Sequence, residues 1–141
     1  MDATWLEIRE YTGEGYKPLV DYGAWRVAIL RFLDELLAAR IDRMERHTGT
    51  DEVFVLLQGG GVLLLGGNGA KVEKIHPQVM ESGKLYNVKR DAWHAILLSR
   101  EATILLVENC DTGERNTQYA GLSAEQRRQI VDLAQRERIQ G

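Results

Sequence analysis

Short apolar runs separated by glycine-rich turns make up most of the first 110 residues. Runs of strand length occur at residues 24–32, 53–57, 62–65, 85–88, 95–98 and 103–108. The turn Gln-Gly-Gly-Gly at 58–61 joins two runs in the manner of a β-hairpin, and a second glycine-rich turn precedes Val72 and Ile75. The pattern predicts roughly seven or eight strands, the number expected for an all-β sandwich or jelly roll.

Two segments follow a helical pattern instead. Residues 32–40 carry apolar side chains at positions 32, 33, 36 and 37, which fits either a short helix or an irregular crossing between strands. Near the C-terminus, Ser123 and Gln126 form a capping-box pattern, and an apolar stripe follows at Ile130, Val131, Leu133 and Ala134. We therefore expect a C-terminal α-helix over about residues 123–138, packed against the barrel or a partner subunit.

The strands at residues 53–57 and 62–65 are apolar on both faces. One face of each strand fills the barrel interior. The other face has to be covered by the C-terminal helix, by the N-terminal arm or by a second subunit. We expect the protein to form a homodimer.

Length and composition narrow the class of protein. The 141 residues predict one domain over residues 1–141, with the barrel at about residues 20–110. A net charge of -3 provides no basic surface for nucleic acid, and no apolar run reaches the ~18 residues of a membrane helix. No signal-peptide pattern is present, and the single Cys110 excludes an internal disulfide. We expect a cytoplasmic protein without a nucleic-acid or membrane partner.

Two of the three histidines stand at the ends of strand-like runs. Side chains alternate along a strand, so Arg43, Glu45 and His47 share a face, and a tight turn leads to Glu52 on the next strand. Glu45, His47 and Glu52 can therefore point into one barrel mouth. His94 begins a third strand on an apolar interior face, where a buried imidazole needs a partner such as a metal. Imidazole nitrogens and carboxylate oxygens together suit Zn, Mn, Fe, Ni or Co.

The spacing of these residues resembles the two sequence motifs of the cupin superfamily. His47, Glu52 and Gly59 stand as His-x4-Glu-x6-Gly, and Gly83 stands eleven residues before His94. The resemblance implies an all-β, cupin-type jelly-roll β-barrel. It also implies that the barrel binds one divalent transition metal through His47, Glu52 and His94.

The resemblance spans roughly residues 39–98 and departs from the cupin pattern at several positions. Glu45 stands where the family has a histidine, which leaves its role open between a fourth ligand and a free carboxylate. The other departures are Ala39 for glycine, Lys89 for proline, Asp91 for glycine and Leu98 for asparagine. A ligand set rich in oxygen favours Mn or Fe over copper. The alternative is a cupin that has lost its metal and pairs Glu45 with His47.

A narrower resemblance concerns residues 83–94. Tyr86 is followed seven residues later by Trp93 and His94, which lead into an apolar strand. This segment is similar to the corresponding part of ureidoglycolate lyases, small cupin-like enzymes of purine catabolism. The resemblance implies ureidoglycolate lyase activity as an alternative function.

Three further side chains are candidates for substrate binding. Tyr86 and Trp93 can line the pocket, although aromatic residues on strands more often belong to the core. Arg43 can bind a substrate carboxylate through its planar guanidinium, or it can form an ion pair with Glu45 or Glu52.

The residues and the resemblance together favour a cytosolic cupin metalloenzyme acting on a small polar metabolite by lyase, isomerase or hydrolase chemistry. One divalent ion of Mn, Fe, Ni, Co or Zn would sit in the barrel, and Glu45 would act as the general base. The alternative class is a small-ligand-binding or sensing cupin without catalysis. Chelation or His47→Ala should abolish the activity of an enzyme, whereas a binding module should show saturable affinity without turnover.

Overall fold

Ten strands form two antiparallel five-stranded sheets in the part of the chain that the computed structural model describes, residue 2 and residues 4–140. The strands are β1 (Gly15–Tyr22), β2 (Trp25–Arg31), β3 (Arg43–His47), β4 (Glu52–Gln58), β5 (Gly61–Leu65), β6 (His76–Val79), β7 (Leu85–Val88), β8 (His94–Leu98), β9 (Thr103–Asn109) and β10 (Thr117–Gly121). The strand order is β1-β2-β9-β4-β7 in the first sheet and β10-β3-β8-β5-β6 in the second. The prediction of an all-β jelly roll is confirmed.

The two sheets face each other across an apolar core, because every second side chain of the central strands points inward. Along β9 the interior positions are Ile104, Leu106 and Glu108, which are all buried, and the residues between them are only partly buried. The neighbouring strands contribute the apolar side chains Phe54, Leu56, Leu63, Ile96 and Leu98. The polar Glu108 ends the apolar row on β9, and the candidate site lies at that end of the core.

The helix α1 (Ala124–Arg136) covers the outer face of the second sheet. The Ser123 hydroxyl accepts a 3.1 Å hydrogen bond from the Gln126 backbone N–H, and the Gln126 side chain accepts one of 2.9 Å from the Ser123 N–H. The apolar stripe of α1 packs on the second sheet through Ile130, Leu133 and Ala134. The predicted C-terminal helix and its capping box are confirmed. None of the helices in the described residues is both long and apolar enough to cross a membrane.

The outer face of the first sheet is also apolar, but α1 lies on the other sheet. Val53 and Val55 of β4 are therefore only half-buried on that face, and Leu57 is 52% exposed. Leu85 on the edge strand β7 is 73% exposed. Both faces of β5 are thus buried, whereas β4 buries one face fully and leaves the other partly open.

Besides the edge strand β6, two further strands lie where the apolar pattern predicted none. β1 contains Pro18, which has no backbone N–H, and its pairing with β2 shifts register between Pro18 and Val20. In β10, Tyr119 is the single large side chain. Both are edge strands, which do not need a continuous apolar run. They extend the sheets over residues 15–121, beyond the predicted barrel at 20–110.

Residues 32–40 and the segment around Val72 and Ile75 are irregular. Residues 32–40 form two separate 3₁₀ turns, Asp34–Leu36 and Ala38–Arg40, so the chain crosses between sheets without a full helix. Val72 and Ile75 lie in a loop and pack into the apolar cluster beneath α1. The strand after them, β6, is exposed along its whole length at a sheet edge.

Gly59→Ala is expected to destabilise the hairpin between β4 and β5. Gly59 has a φ of +77°, and a Cβ there would lie 2.7 Å from Cα and 2.9 Å from N of Ala102. Backbone atoms cannot rotate away, so we expect chemical denaturation to show a loss of about 2–4 kcal/mol. The matched control is Gly23→Ala, where φ is +57° but nothing lies within 4 Å. An equal cost at both positions would show that the contact with Ala102 relaxes.

Candidate metal centre

Three strands, β3, β4 and β8, bring polar side chains to one end of the core. On β3 the alternating residues Arg43, Glu45 and His47 line one cavity. Antiparallel pairing sets Glu45 opposite His94 of β8, and Glu52 is the first residue of β4 after a tight turn. The structure thereby assembles the predicted group of Glu45, His47, Glu52 and His94, called the His–Glu cluster below.

Glu52 lies at the centre of the His–Glu cluster. Its Oε1 atom is 3.1 Å from Nε2 of His47 and 3.2 Å from Nε2 of His94. The two imidazole centroids are 5.4 Å apart, and the Phe54 ring packs edge-on against His94. His47, Glu52 and His94 are buried. The Glu45 side chain is 41% exposed, and its Oε1 atom is 3.8 Å from Nε2 of His47 and from Nε2 of His94. Glu45 therefore occupies the solvent side of a buried trio.

The second nitrogen of each imidazole has a partner that orients the ring. Nδ1 of His47 is 3.0 Å from the Thr117 hydroxyl, and Nδ1 of His94 is 3.0 Å from the carbonyl oxygen of Ala92. A carbonyl only accepts, so Nδ1 of His94 carries a proton and Nε2 of the neutral ring has a lone pair. That buried Nε2 has no hydrogen-bond partner among the described residues. A cation between this lone pair and the Glu52 carboxylate would stabilise both, so the donors fit a divalent metal.

Glu108 of β9 also reaches the cluster, although it is not among the site residues predicted from the sequence. It is buried, and its Oε1 accepts a 2.7 Å hydrogen bond from the Tyr16 hydroxyl. Its carboxylate, His47 and Glu52 have ligand atoms within 4.8 Å of one another. The alternation of side chains along β9 could have identified Glu108, because position 108 shares the interior face of that strand with two buried apolar residues.

The charges of the cluster shift the pKa values of its members. Burial disfavours the imidazolium form, but the hydrogen bond of Glu52 to His47 and its negative charge beside both rings raise the pKa of His47 and of His94 above the usual histidine value. Burial opposes the ionisation of Glu52, yet the two imidazoles lower its pKa to about 2. Burial, together with the negative charge of Glu52, raises the pKa of Glu108 to about 7. Glu52 is therefore ionised. Its negative charge must be balanced by protons on the imidazoles or by a metal ion.

The metal-free protein is expected to lose stability as the pH rises from about 5 to 8. The pKa values of His47 and His94 are raised in the fold, so their contribution is complete below the ordinary histidine pKa and is lost as the pH rises through the folded pKa. Glu108 acts in the same direction, because its pKa is raised to about 7 in the fold, so stability is lost as the pH rises from the ordinary glutamate pKa to about 7. Glu52 has a lowered pKa, so its contribution is lost only in stronger acid.

Differential scanning fluorimetry in the presence of a chelator measures this effect. The melting temperature should fall by about 5 °C between pH 5 and pH 8. Metal ligands must be unprotonated, so excess Zn²⁺ should raise the melting temperature more at pH 8 than at pH 6. The exposed His76 provides the control, since His76→Ala should keep the wild-type pH profile. A melting temperature that rises with pH in the chelated protein would contradict the prediction.

The His–Glu cluster opens into a cavity of about 770 Å³, within the range of roughly 300–1,000 Å³ that is typical for small-molecule sites. The guanidinium of Arg43 lies over the Tyr119 ring, 4.0 Å from its centroid, and the side chain remains exposed. Polar and aromatic side chains from both sheets complete the wall, among them Tyr16, Arg26, Glu108, Thr117 and Tyr119. A small polar molecule suits this lining.

Tyr86 and Trp93 do not line this cavity in the described part of the chain. Trp93 is buried beneath α1, where its Nε1–H donates to the Gly69 carbonyl at 2.9 Å and the Arg46 guanidinium covers its ring. Tyr86 packs against the core between the sheets, and its hydroxyl accepts a 2.8 Å hydrogen bond from the Glu81 N–H. Each ring is buried or half-buried and satisfies its polar atom locally, so the structure supports packing roles for both residues in place of substrate binding.

Comparison with known proteins shows the fold. No protein-family model and no curated protein sequence matches the chain. A cupin-2 domain protein from Shewanella frigidimarina has a TM-score of 0.53 and 13% identity over 70% of this chain and 84% of that chain. Pac13 from Streptomyces, described as a nucleoside dehydratase, has a TM-score of 0.51 and 11% identity over 82% and 86%. KdgF from Halomonas sp. has a TM-score of 0.50 and 13% identity over 71% and 81%. The protein has the cupin fold.

Proposed function

We propose that this protein is a cupin-fold metalloenzyme that acts on a small polar metabolite by lyase, isomerase or hydrolase chemistry. The observation that carries the proposal is the buried Nε2 of His94. It lies 3.2 Å from the Glu52 carboxylate without a hydrogen-bond partner in the described residues, while Ala92 holds the other ring nitrogen. A nitrogen lone pair that is buried and oriented beside a carboxylate is the arrangement that a divalent metal requires.

The proposed ligands are His47, Glu52 and His94, which hold one divalent ion of Mn, Fe, Ni, Co or Zn. All three are buried, and each imidazole is oriented through its second nitrogen. When bound, the ion supplies positive charge that polarises a carbonyl or carboxylate of the substrate. The buried walls keep most water out of the inner end of the cavity, which strengthens electrostatic contacts to the substrate.

Glu45 is the proposed general base. Its carboxylate lies 3.8 Å from both Nε2 atoms, too far for a hydrogen bond, and its partial exposure lets a substrate reach it. A proton on a substrate carbon or hydroxyl next to the polarised group would pass to a Glu45 oxygen. Arg43, two residues away on the same face of β3, would bind the anionic group of the substrate.

Metal analysis tests this proposal. Untagged protein purified without chelators should contain about one divalent ion per chain by plasma mass spectrometry. Absence of bound metal after reconstitution with Mn, Fe, Co, Ni and Zn would overturn it. The loaded protein is then screened for turnover, beginning with elimination reactions, because one structurally similar protein is described as a nucleoside dehydratase. Saturable ligand binding without turnover would favour the alternative of a non-catalytic sensing cupin.

We also propose that two copies pair through the outer face of the first sheet. Strand register sets Leu105, Val55 and Leu85 in one apolar row across three strands, and Leu57 extends it. Burial of this face in a homodimer would remove it from water.

Light scattering at micromolar concentration measures the oligomeric state, and we expect a dimer for the wild-type chain. Leu57→Lys should give a monomer, because the charge would lie in the interface. The control is Val79→Lys, a similarly exposed position on the other sheet, at 47% against 52% for Leu57. A monodisperse wild-type monomer would refute the dimer.

A further inference from the structure

Two buried carboxylates face each other at the inner end of the cavity. Val53 of β4 pairs with Val107 of β9, so Glu52 and Glu108 are neighbours across the two strands on the interior face. Glu52 is 5% exposed and Glu108 is 7% exposed. Like charges at opposing positions destabilise a pair of strands unless a proton or a cation lies between them.

Neither Tyr16 nor Arg26 balances the charge of Glu108. Tyr16 donates a hydrogen bond of 2.7 Å to it, but a hydroxyl is neutral. Arg26 is opposite Glu108 in the register of β2 and β9. However, Asp21 already accepts two hydrogen bonds from the Arg26 guanidinium, at 2.9 and 3.1 Å. A bidentate pair of this kind holds the charge of Arg26 at Asp21.

His47 belongs to two groups that are compact enough to hold a metal ion. One consists of Glu45, His47 and His94, and the other of His47, Glu52 and Glu108, with ligand atoms within 4.8 Å of one another in each. All members of the second group are buried, whereas Glu45 in the first is partly exposed. The unpartnered Nε2 of His94 lies 3.2 Å from Oε1 of Glu52 and is therefore next to the second group as well.

We propose that Glu108 is a metal ligand in addition to His47, Glu52 and His94, and that Tyr16 is its positioning residue. This assignment rests on the proposed function, because it requires a metal at the His–Glu cluster. Two neutral imidazoles and two carboxylates balance the charge of a divalent ion, which is the arrangement that burial favours. Glu45, at the solvent side, then remains off the metal and free to contact a substrate.

Mn²⁺ and Co²⁺ are the probes for this assignment, added to protein that has been freed of metal by chelation. Glu108→Gln should weaken Mn²⁺ binding by at least about 100-fold and change the visible d–d absorption of bound Co²⁺. Tyr16→Phe should weaken Mn²⁺ binding by about 10-fold, because Glu108 loses the hydrogen bond that orients it. The matched control is Glu114→Gln, which removes the same charge from the wall of the same cavity and should change binding by less than about threefold.

The melting temperature of the metal-free protein distinguishes the loss of a metal ligand from damage to the fold. Glu108→Gln removes one of two facing carboxylates, so the metal-free variant should melt at or above the wild-type temperature while it binds metal more weakly. Wild-type Mn²⁺ affinity and an unchanged Co²⁺ spectrum in Glu108→Gln would overturn the assignment. If His47→Ala/His94→Ala loses the metal at the same time, the proposed function stands without Glu108. If that double variant also binds metal normally, the proposed function fails as well.

Discussion

The His47→Ala/His94→Ala double variant should lose the metal that the wild-type chain carries, from about one ion per chain to below about 0.1. Both imidazoles are buried and oriented by fixed partners, so no other nitrogen can take their place within this part of the described structure. Glu52 would remain as a buried carboxylate with its two nearest partners removed. Plasma mass spectrometry after gel filtration measures the metal, and the melting temperature with and without added ion gives a second readout.

The third histidine is the control for this experiment. His76 lies on the exposed edge strand β6, and His76→Ala should keep the full metal content. A double variant that retains about one ion per chain would mean that the metal binds elsewhere on the protein, and the His–Glu cluster would then be a hydrogen-bonded polar group without metal. Loss of metal in the His76→Ala variant would likewise point to another site.

Glu45→Gln should keep the metal but lower kcat by about 10²–10⁴-fold, the usual contribution of a general base. The amide has nearly the shape of the carboxylate but cannot accept a proton under ordinary conditions. Because Glu45 is 41% exposed and 3.8 Å from either Nε2 atom, its replacement should disturb the buried trio little. The measurements are metal content and steady-state turnover on the substrate that the screen identifies.

The outcomes for Glu45 assign its role. Loss of metal in Glu45→Gln would make Glu45 a ligand. Full metal content with full turnover would place the base elsewhere in the cavity. The control is Glu101→Gln, an exposed glutamate in a turn away from the cavity, which should leave both measurements unchanged.

The carboxylates of the site differ in burial, and this difference separates their proposed roles. Glu52 and Glu108 are almost fully buried, where an unbalanced negative charge is costly and a cation is favoured. Glu45 is partly exposed, so a substrate in the cavity can reach its carboxylate. A paired comparison of Glu45→Gln and Glu108→Gln therefore tests whether catalysis and metal binding reside in different carboxylates.

Much of the fold could be predicted from the sequence, because strand alternation and turn composition are local properties. Five of the six apolar runs became inner strands, the run at residues 85–88 became the edge strand β7, and the capping box at Ser123 begins α1. The strands that the pattern missed, β1, β6 and β10, lie at sheet edges, where one neighbour supplies the hydrogen bonds and little apolar content is needed. Tyr86 and Trp93 stand near His94 in the sequence and were candidates for the pocket, yet their polar atoms bond to Glu81 and Gly69 and neither side chain lines the cavity in the described residues.

The inner strands and the group of Glu45, His47, Glu52 and His94 could be predicted from the sequence, because alternation within a strand and a tight turn act over a few residues. The contacts that these residues make depend on how distant strands pack. Glu108 is far from them along the chain and reaches them because β9 pairs beside β4, and α1 covers one sheet and leaves the other open. Strand order depends on contacts between segments that are distant along the chain, so a local sequence pattern does not predict it.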